Sequence, residues 1–415
     1  MGLHLHSLPF EDDIFFADLV NHFDNFELLK NATKWSALYW VVFLYSTIFK
    51  IKFCWNMAHG TGHNTVELDY ALRIMKLEPN LKLVLIRRAS PFHVGTINLF
   101  GHRFHKAPLN DIIFELIAPC IIALPASYRL DVGLGRGKME RHKTKAEKNK
   151  FLIISKQQNI DQYGKYFSIR QSTSDYRPLI SELKTNLKLQ QRGLMNKLNL
   201  KKSEKLALVH IKENIINATA APTDPENYIP AINFLKKLDF TIIHVGREAY
   251  PSCFKKAGVI NYSETPYANY ENDFILFSMA DLCIISSSGI SWFPDCMGVK
   301  YLYLDSWHLP MQQPSEFCIS VPSRVYKASD KKFLSAKQQS KVYLEMADEA
   351  GEKFPQNEFH VRNASSQEIV EALRELLDHE PLFEANNPLA PAEHQPYVKS
   401  KISKNFLSHN SGFLK

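Results

Sequence analysis

Residues 280–305 read ADLCIISSSGISWFPDCMGVKYLYLD. Leu282–Ile285 is a short apolar run, the length and composition of a strand buried on both faces. Ser286-Ser287-Ser288-Gly289 interrupts it, a short helix is predicted after Gly289, and Tyr301–Leu304 reads as the next strand. Strand, turn, helix, strand is the repeating unit of a parallel sheet. The same unit recurs upstream. Leu206–Ile211 is a strand, and Asp224-Pro225-Glu226 starts a helix with Asp as cap and Pro in the first turn. Tyr228, Ile232, Leu235 and Leu238 are that helix's apolar stripe. Phe240–Val245 follows as a strand ending at Gly246, and residues 270–280 as a helix. Downstream, Ser365 and Glu368 have the spacing of a capping box, with Ile369, Leu373 and Leu376 on one helix face. The pattern predicts an α/β fold with an open parallel sheet.

The N-terminal half repeats the theme less clearly. Residues 10–34 have helical spacing, and residues 50–57 form a strand. Gly60 and Gly62 break the chain, and a helix is predicted from Thr65 with Leu68, Leu72 and Met75 on one face. Pro79-Asn80 stop it before a strand at Leu81–Ile86, completing a βαβ unit. Residues 87–135 carry His93, His102 and His105 and the apolar segment 112–124. A basic loop or charged helix is expected at 136–150, a strand at 151–155, and a lysine-rich helical stretch at 180–205. The expected organisation is a preface over 1–49, one domain over 50–200, a second over 201–380, and a flexible basic tail over 381–415.

Composition narrows the class. A chain of 415 residues exceeds one ordinary core and suits two domains. With 45% hydrophobic and 22% charged residues it is globular rather than disordered. A net charge of +7 is too mild for a dedicated nucleic-acid binder, and the lysines of 136–150 and 396–415 are not interleaved with a stacking platform of aromatics. Six cysteines lack zinc spacing, the histidines are scattered, and no H-E-x-x-H occurs, so neither a metal site nor a disulfide scaffold is expected. The expected compartment is reducing and cytoplasmic. The first residues lack the pattern of a secretory signal. Trp35–Phe49 carries no charge, but its 15 residues fall short of the roughly 18 to 20 needed to span a bilayer. A buried helix or strand is the expected reading. Peripheral membrane contact at the inner face, with Lys50 and Lys52 beside anionic lipid, is the alternative.

Four polar stretches stand at predicted strand ends, where open α/β sheets bind ligands. Gly60-Thr61-Gly62-His63-Asn64 joins a strand to a helix. Its backbone amides suit an anion, and His63 suits a general base. It lacks the remainder of a dinucleotide or P-loop pattern, and a plain turn is the competing reading. Ser286-Ser287-Ser288-Gly289-Ile290-Ser291 offers hydroxyls and amides to phosphate; a helix cap is the plainer reading, and the nucleophile-elbow pattern fails. His210 and Lys212 alternate onto one face at the end of a strand. Gly246-Arg247-Glu248 follows another, with Arg247 either pairing phosphate or bridged to Glu248.

VHIKEN (209–214), PENYIPAINFLKKLDFTIIHVGRE (225–248) and residues 280–305 together resemble a bacterial family of glycosyltransferases found among surface-polysaccharide genes. The serine loop is also loosely similar to that of fucosyltransferase-like enzymes. The resemblance covers about 205–310. It implies a GT-B fold, with two Rossmann-like domains whose parallel sheets face a central cleft. It implies a nucleotide-sugar donor held mainly by the C-terminal domain, a glycan or lipid-linked acceptor, and no metal or other cofactor. The matched donor positions are His210, Lys212, Gly246, Arg247, Ser286, Ser287, Ser288, Gly289 and Ser291. Lys212 stands where the family has arginine, keeping the charge and losing the bidentate fork. Gly60, Gly62 and Asn64 are then an acceptor or phosphate loop, and His63 the base of an inverting transfer. Lys212, Arg247 and the amides after Ser288 would offset charge on the leaving diphosphate. A nucleotide-sugar epimerase of the same fold and a non-catalytic sugar- or membrane-binding module are the alternatives.

Overall fold

The computed structural model describes residues 37–55, 61–86, 105–106, 120, 124, 129–131, 168–170, 172–173, 187–201, 205–212, 221–309, 315–329, 331–346, 354–355, 357–379 and 400–415. The chain forms two compact units that divide between Gln162 and Tyr163. Each has its own parallel sheet, so the α/β class read from the sequence holds in both.

In the first unit, α1 (Ala37–Phe49) leads into β1 (Ile51–Trp55), α2 (Thr61–Leu77), β2 (Lys82–Ile86), β3 (His105–Lys106) and β4 (Arg129–Asp131). The sheet order is β3-β2-β1-β4, and every pairing is parallel. Two expectations change here. Of the run 35–49, Ala37–Phe49 is a helix, and within it only Tyr39, Val42 and Ser46 are buried. Helix α2 starts at Thr61 rather than Thr65, so Gly62, His63 and Asn64 lie in its first turn and not in a loop. Thr65, Val66, Asp69, Leu72 and Arg73 are buried along it. Residues 61–64 include no apolar side chain, so apolar spacing alone puts the helix start too late. Gly60, His93, His102 and the expected strand at 151–155 lie outside the described residues.

The second unit opens with α3 (Lys188–Lys197) and β5 (Lys205–His210). A 3₁₀ turn (Pro225–Tyr228) leads into α4 (Ile229–Lys236), β6 (Phe240–His244), α5 (Ser252–Lys256), β7 (Ile260–Asn261), α6 (Tyr270–Met279) and β8 (Leu282–Ser286). A second 3₁₀ turn (Gly289–Ser291) precedes α7 (Trp292–Met297), β9 (Lys300–Leu304) and β10 (Cys318–Val321). Then come β11 (Arg324–Lys327), α8 (Ala336–Met346), β12 (Phe359–Arg362), α9 (Ser366–Leu377) and α10 (Lys404–His409). The main sheet has six parallel strands in the order β7-β6-β5-β8-β9-β10, and β11 and β12 form an antiparallel pair. Ala207, Val209, Ile242, Ile284, Leu302 and Ile319 supply one face of the core, joined by Leu235 of α4 and Leu373 of α9. Alternate residues of the same strands, including Leu208, Cys283 and Tyr301, are buried on the other face. The predicted caps form. Asp224 accepts the Glu226 amide at 3.0 Å, and both bonds of the Ser365–Glu368 capping box are present.

The domain limits shift. Residues from 163 onward, expected in the first domain up to 200, group with the second unit. Buried Arg170 ion-pairs with Asp295 and Glu316, Leu187 and Leu194 are buried, and Gln191 donates to Ser278 at 3.0 Å. Within the expected flexible tail, residues 400–415 carry a helix and packed contacts. Ile402 bridges Ser320 in parallel, extending the edge of β10, with Ser320 donating to the Lys401 carbonyl at 2.8 Å. Phe406 and Phe413 enter the core edge to face, centroids 5.3 Å apart. These three apolar side chains outweigh the polar composition around them.

Candidate functional site

From β5 the chain winds outward through β6 and β7, then crosses back to lay β8, β9 and β10 on the other side. The order therefore reverses between β5 and β8, and the carboxyl ends of strands at such a reversal are where open α/β sheets bind ligands. His210 ends β5 and Ser286 ends β8; the Ser286 hydroxyl lies 3.4 Å from His210 Nδ1. Lys212 follows two residues on, and the end of β6 supplies Gly246, Arg247 and Glu248.

Glu248 organises these groups. Its Oε1 accepts from Lys212 Nζ at 2.8 Å, and its Oε2 lies 3.3 Å from His210 Nε2 and accepts the Arg247 backbone amide at 3.2 Å. Only 8% of its side chain is exposed. Burial pushes its carboxyl upward, but hydrogen bonds and charge from His210 and Lys212 prevail and hold it well below the usual carboxylate range. Gly246 makes the arrangement possible. Its φ of +116° lies where side chains are strained, and a Cβ there would sit 2.6 Å from His210 Cδ2.

Arg247 does not bridge to Glu248 through its guanidinium. That group donates to Asp273 of α6 at 2.9 Å, while the arginine side chain stays 56% exposed. Burial pushes Asp273 up to about 6 against the opposing pull of Arg247. His244, at the end of β6, is buried with Nδ1 3.1 Å from the Ser263 hydroxyl. Burial first, and the charge of His210 second, bring it down to about 4, so it is neutral at pH 7.

The serine loop is largely occupied by bonds of its own. Ser286, Ser287 and Ser291 are buried. The Ser287 hydroxyl pairs with that of Tyr303 at 2.8 Å, and the Ser291 hydroxyl donates to the Ser288 carbonyl. Ser288 caps the turn by accepting from the Ile290 amide at 3.3 Å, and the Ser291 amide donates to the Ser288 carbonyl at 3.2 Å. The Ser288 and Ser291 hydroxyls and the Ile290 and Ser291 amides serve the turn itself, as in the plainer reading of a helix cap; the loop's exposed residue is Gly289. The sheet thus brings His210, Lys212, Gly246 and Ser286 together, with Arg247 beside them on Asp273. The Gly62–Asn64 turn belongs to the other unit.

Three residues escaped the sequence reading. Glu248 was considered only as a partner for Arg247, and Asp273 not at all. Asp305 ends the segment 280–305 and sits just past β9. Its Oδ2 accepts from the Thr223 hydroxyl at 3.2 Å and its Oδ1 from the Ala364 amide at 3.0 Å; burial pushes it up to about 6. An acid directly after a buried strand was the available signal. Among the described residues, no group of three or more histidine, cysteine or acidic side chains is placed to hold a metal.

No family profile matches the chain, and no curated protein matches it. Among solved structures it is similar to the ADP-heptose lipopolysaccharide heptosyltransferase II of E. coli, with a TM-score of 0.41 and 8% identity over 79% of this chain and 98% of that one. The glycosyl transferase family 9 protein of Veillonella parvula gives 0.36 and 11% over 80% and 97%. The UDP-GlcNAc 2-epimerase of Neisseria meningitidis gives 0.27 and 12% over 93% and 81%. Superpositions this loose carry no weight for function.

Proposed function

We propose that the chain is a metal-independent glycosyltransferase that moves a sugar from a nucleotide-sugar donor to a surface-glycan or related acceptor, glycan or lipid-linked, in the cytoplasm. One observation carries the reading: His210, Lys212, Gly246 and Ser286 converge at the point where the strand order reverses, with the exposed Arg247 alongside. In the proposed step the bond between the anomeric carbon and the diphosphate oxygen breaks, and its electron pair leaves with the diphosphate. The acceptor hydroxyl oxygen bonds to that carbon and its proton passes to a base. Lys212 and Arg247 offset the charge growing on the diphosphate, sharing it with Glu248 and Asp273. The Ile290 and Ser291 amides are engaged within their turn, which leaves most of this work to the two cations. If the transfer inverts, His63 is the proposed base; a retaining transfer needs no protein base, the departing diphosphate oxygen taking the proton.

A second reading is a non-catalytic binding module. It is favoured by the same ion pairs, since each cation already has a carboxylate partner. A thermal-shift panel of nucleoside diphosphates and monophosphates, without added metal, separates the two. The expected result is stabilisation by one diphosphate over its monophosphate, weakened about ten- to a hundredfold in affinity by Arg247→Ala, the size of one charge-assisted bond. With the donor so identified, His63→Ala is expected to abolish transfer and leave the thermal shift intact. No shift with any diphosphate overturns the transferase. Isomer or free sugar formed without acceptor replaces it with the epimerase.

A further inference from the structure

Helix α1 has no charged residue, and its 13 residues span about 20 Å. A helix resting one face on its own protein normally carries charge on the other. Here a narrow stripe of Tyr39, Val42 and Ser46 faces inward, while Trp40, Val41, Leu44, Tyr45, Ile48 and Phe49 are between 48% and 69% exposed. Scattered exposed apolar residues are ordinary; a continuous band of them along one helix marks a contact surface.

The surroundings indicate what covers it. Lys50 and Lys52 follow the helix directly. Lys82 pairs in register with Ile51 at the same starting edge of the sheet, and Lys76 lies in the last turn of α2. Ser46, Lys50, Lys52 and Glu78 line a groove where the helix end meets this edge. Glu78 lies 3.6 Å from Lys52 and does not balance four lysines. Among the described residues, no helix is long and apolar enough to cross a membrane.

We propose that α1 docks the chain onto an anionic lipid bilayer. The helix lies in the plane of the interface, its apolar band in the boundary between headgroups and acyl chains and the lysine rim on the headgroups. Trp40 and Tyr45 suit that depth, being apolar rings with one polar atom each. This goes beyond the transferase reading and does not depend on it.

The test is sedimentation of the full chain with vesicles of phosphatidylcholine alone and of phosphatidylcholine with phosphatidylglycerol. The wild-type chain is expected to pellet with the second, and each of Lys50→Glu and Lys82→Glu to weaken this by at least about fivefold. Leu44→Glu with Ile48→Glu, both at exposed positions, is expected to lower the partition by more than tenfold without moving the melting temperature. Should the double variant fail to fold, brominated lipid must still quench wild-type tryptophan fluorescence and quench the Trp40→Phe variant less. A chain that stays in the supernatant with both vesicles overturns the proposal. So does an unchanged partition in the glutamate variants, or a wild-type dimer in lipid-free buffer that Ile48→Glu converts to monomer.

Discussion

Glu248 stays ionised with little access to water because two partners converge on it from β5. Glu248→Gln leaves part-buried Lys212 facing a neutral amide, and is expected to lower stability by about 1–3 kcal/mol at neutral pH. The sign of the pH dependence follows from the direction of the shift. A carboxyl held below its ordinary value of 4.5 stabilises the fold fully above that pH and loses this as pH falls through its native value. Urea denaturation of wild type and variant should therefore differ most near pH 7 and converge under strong acid. His210, Lys212 and Gly246 were legible in the sequence because strand ends are legible. The acid that joins them was not, since 36 residues separate Lys212 from Glu248 and no spacing rule connects them.

At the scale of elements, β7, β10, β11 and β12 were not read from the sequence, whereas β5, β6, β8 and β9 were legible to within about a residue. Each is a short apolar run buried on both faces and bounded by turn residues, and that composition has few other uses. Capped helix starts were equally clear, because the cap is a local bond. The start of α2 was not, for its first turn contributes nothing to the apolar stripe. Asp305 belongs to this scale, since it ties the end of β9 to the segment before α4 and to the residue just before the Ser365 cap of α9. Its native value of about 6 lies above the ordinary 3.8. The folded state therefore holds the proton more tightly, and stability is lost as pH rises between about 4 and about 6. Asparagine tolerates the φ of +62° and keeps both bonds, accepting from Ala364 and donating to Thr223. Asp305→Asn is expected to gain on the wild type across that window, by at most about 3 kcal/mol, and to hold the gain above it. Unfolding free energies at pH 4 and pH 7 check this.

At the scale of the molecule, two parallel sheets were legible, but their limits were not. Arg170 is fixed to the second unit by Asp295, 125 residues away, and the C-terminal segment by contacts with β10 about 80 residues upstream. Sequence reading weighs neighbours, and near Phe406 the neighbours are polar and lysine-rich. Phe406→Ala is expected to lower stability by about 3–5 kcal/mol, the usual range for emptying a buried phenylalanine site, and chemical denaturation measures it. The placement of Ile402 beside Ser320 also bears on biosynthesis. A ribosome adding about 5–20 residues per second delivers Ser400 some 4–16 seconds after Ser320. Through that interval β10 is a bare sheet edge whose backbone groups can pair with any passing strand. The nascent chain is open to aggregation in the seconds before residues 400–415 arrive, and chaperones that shield extended apolar segments act on it then.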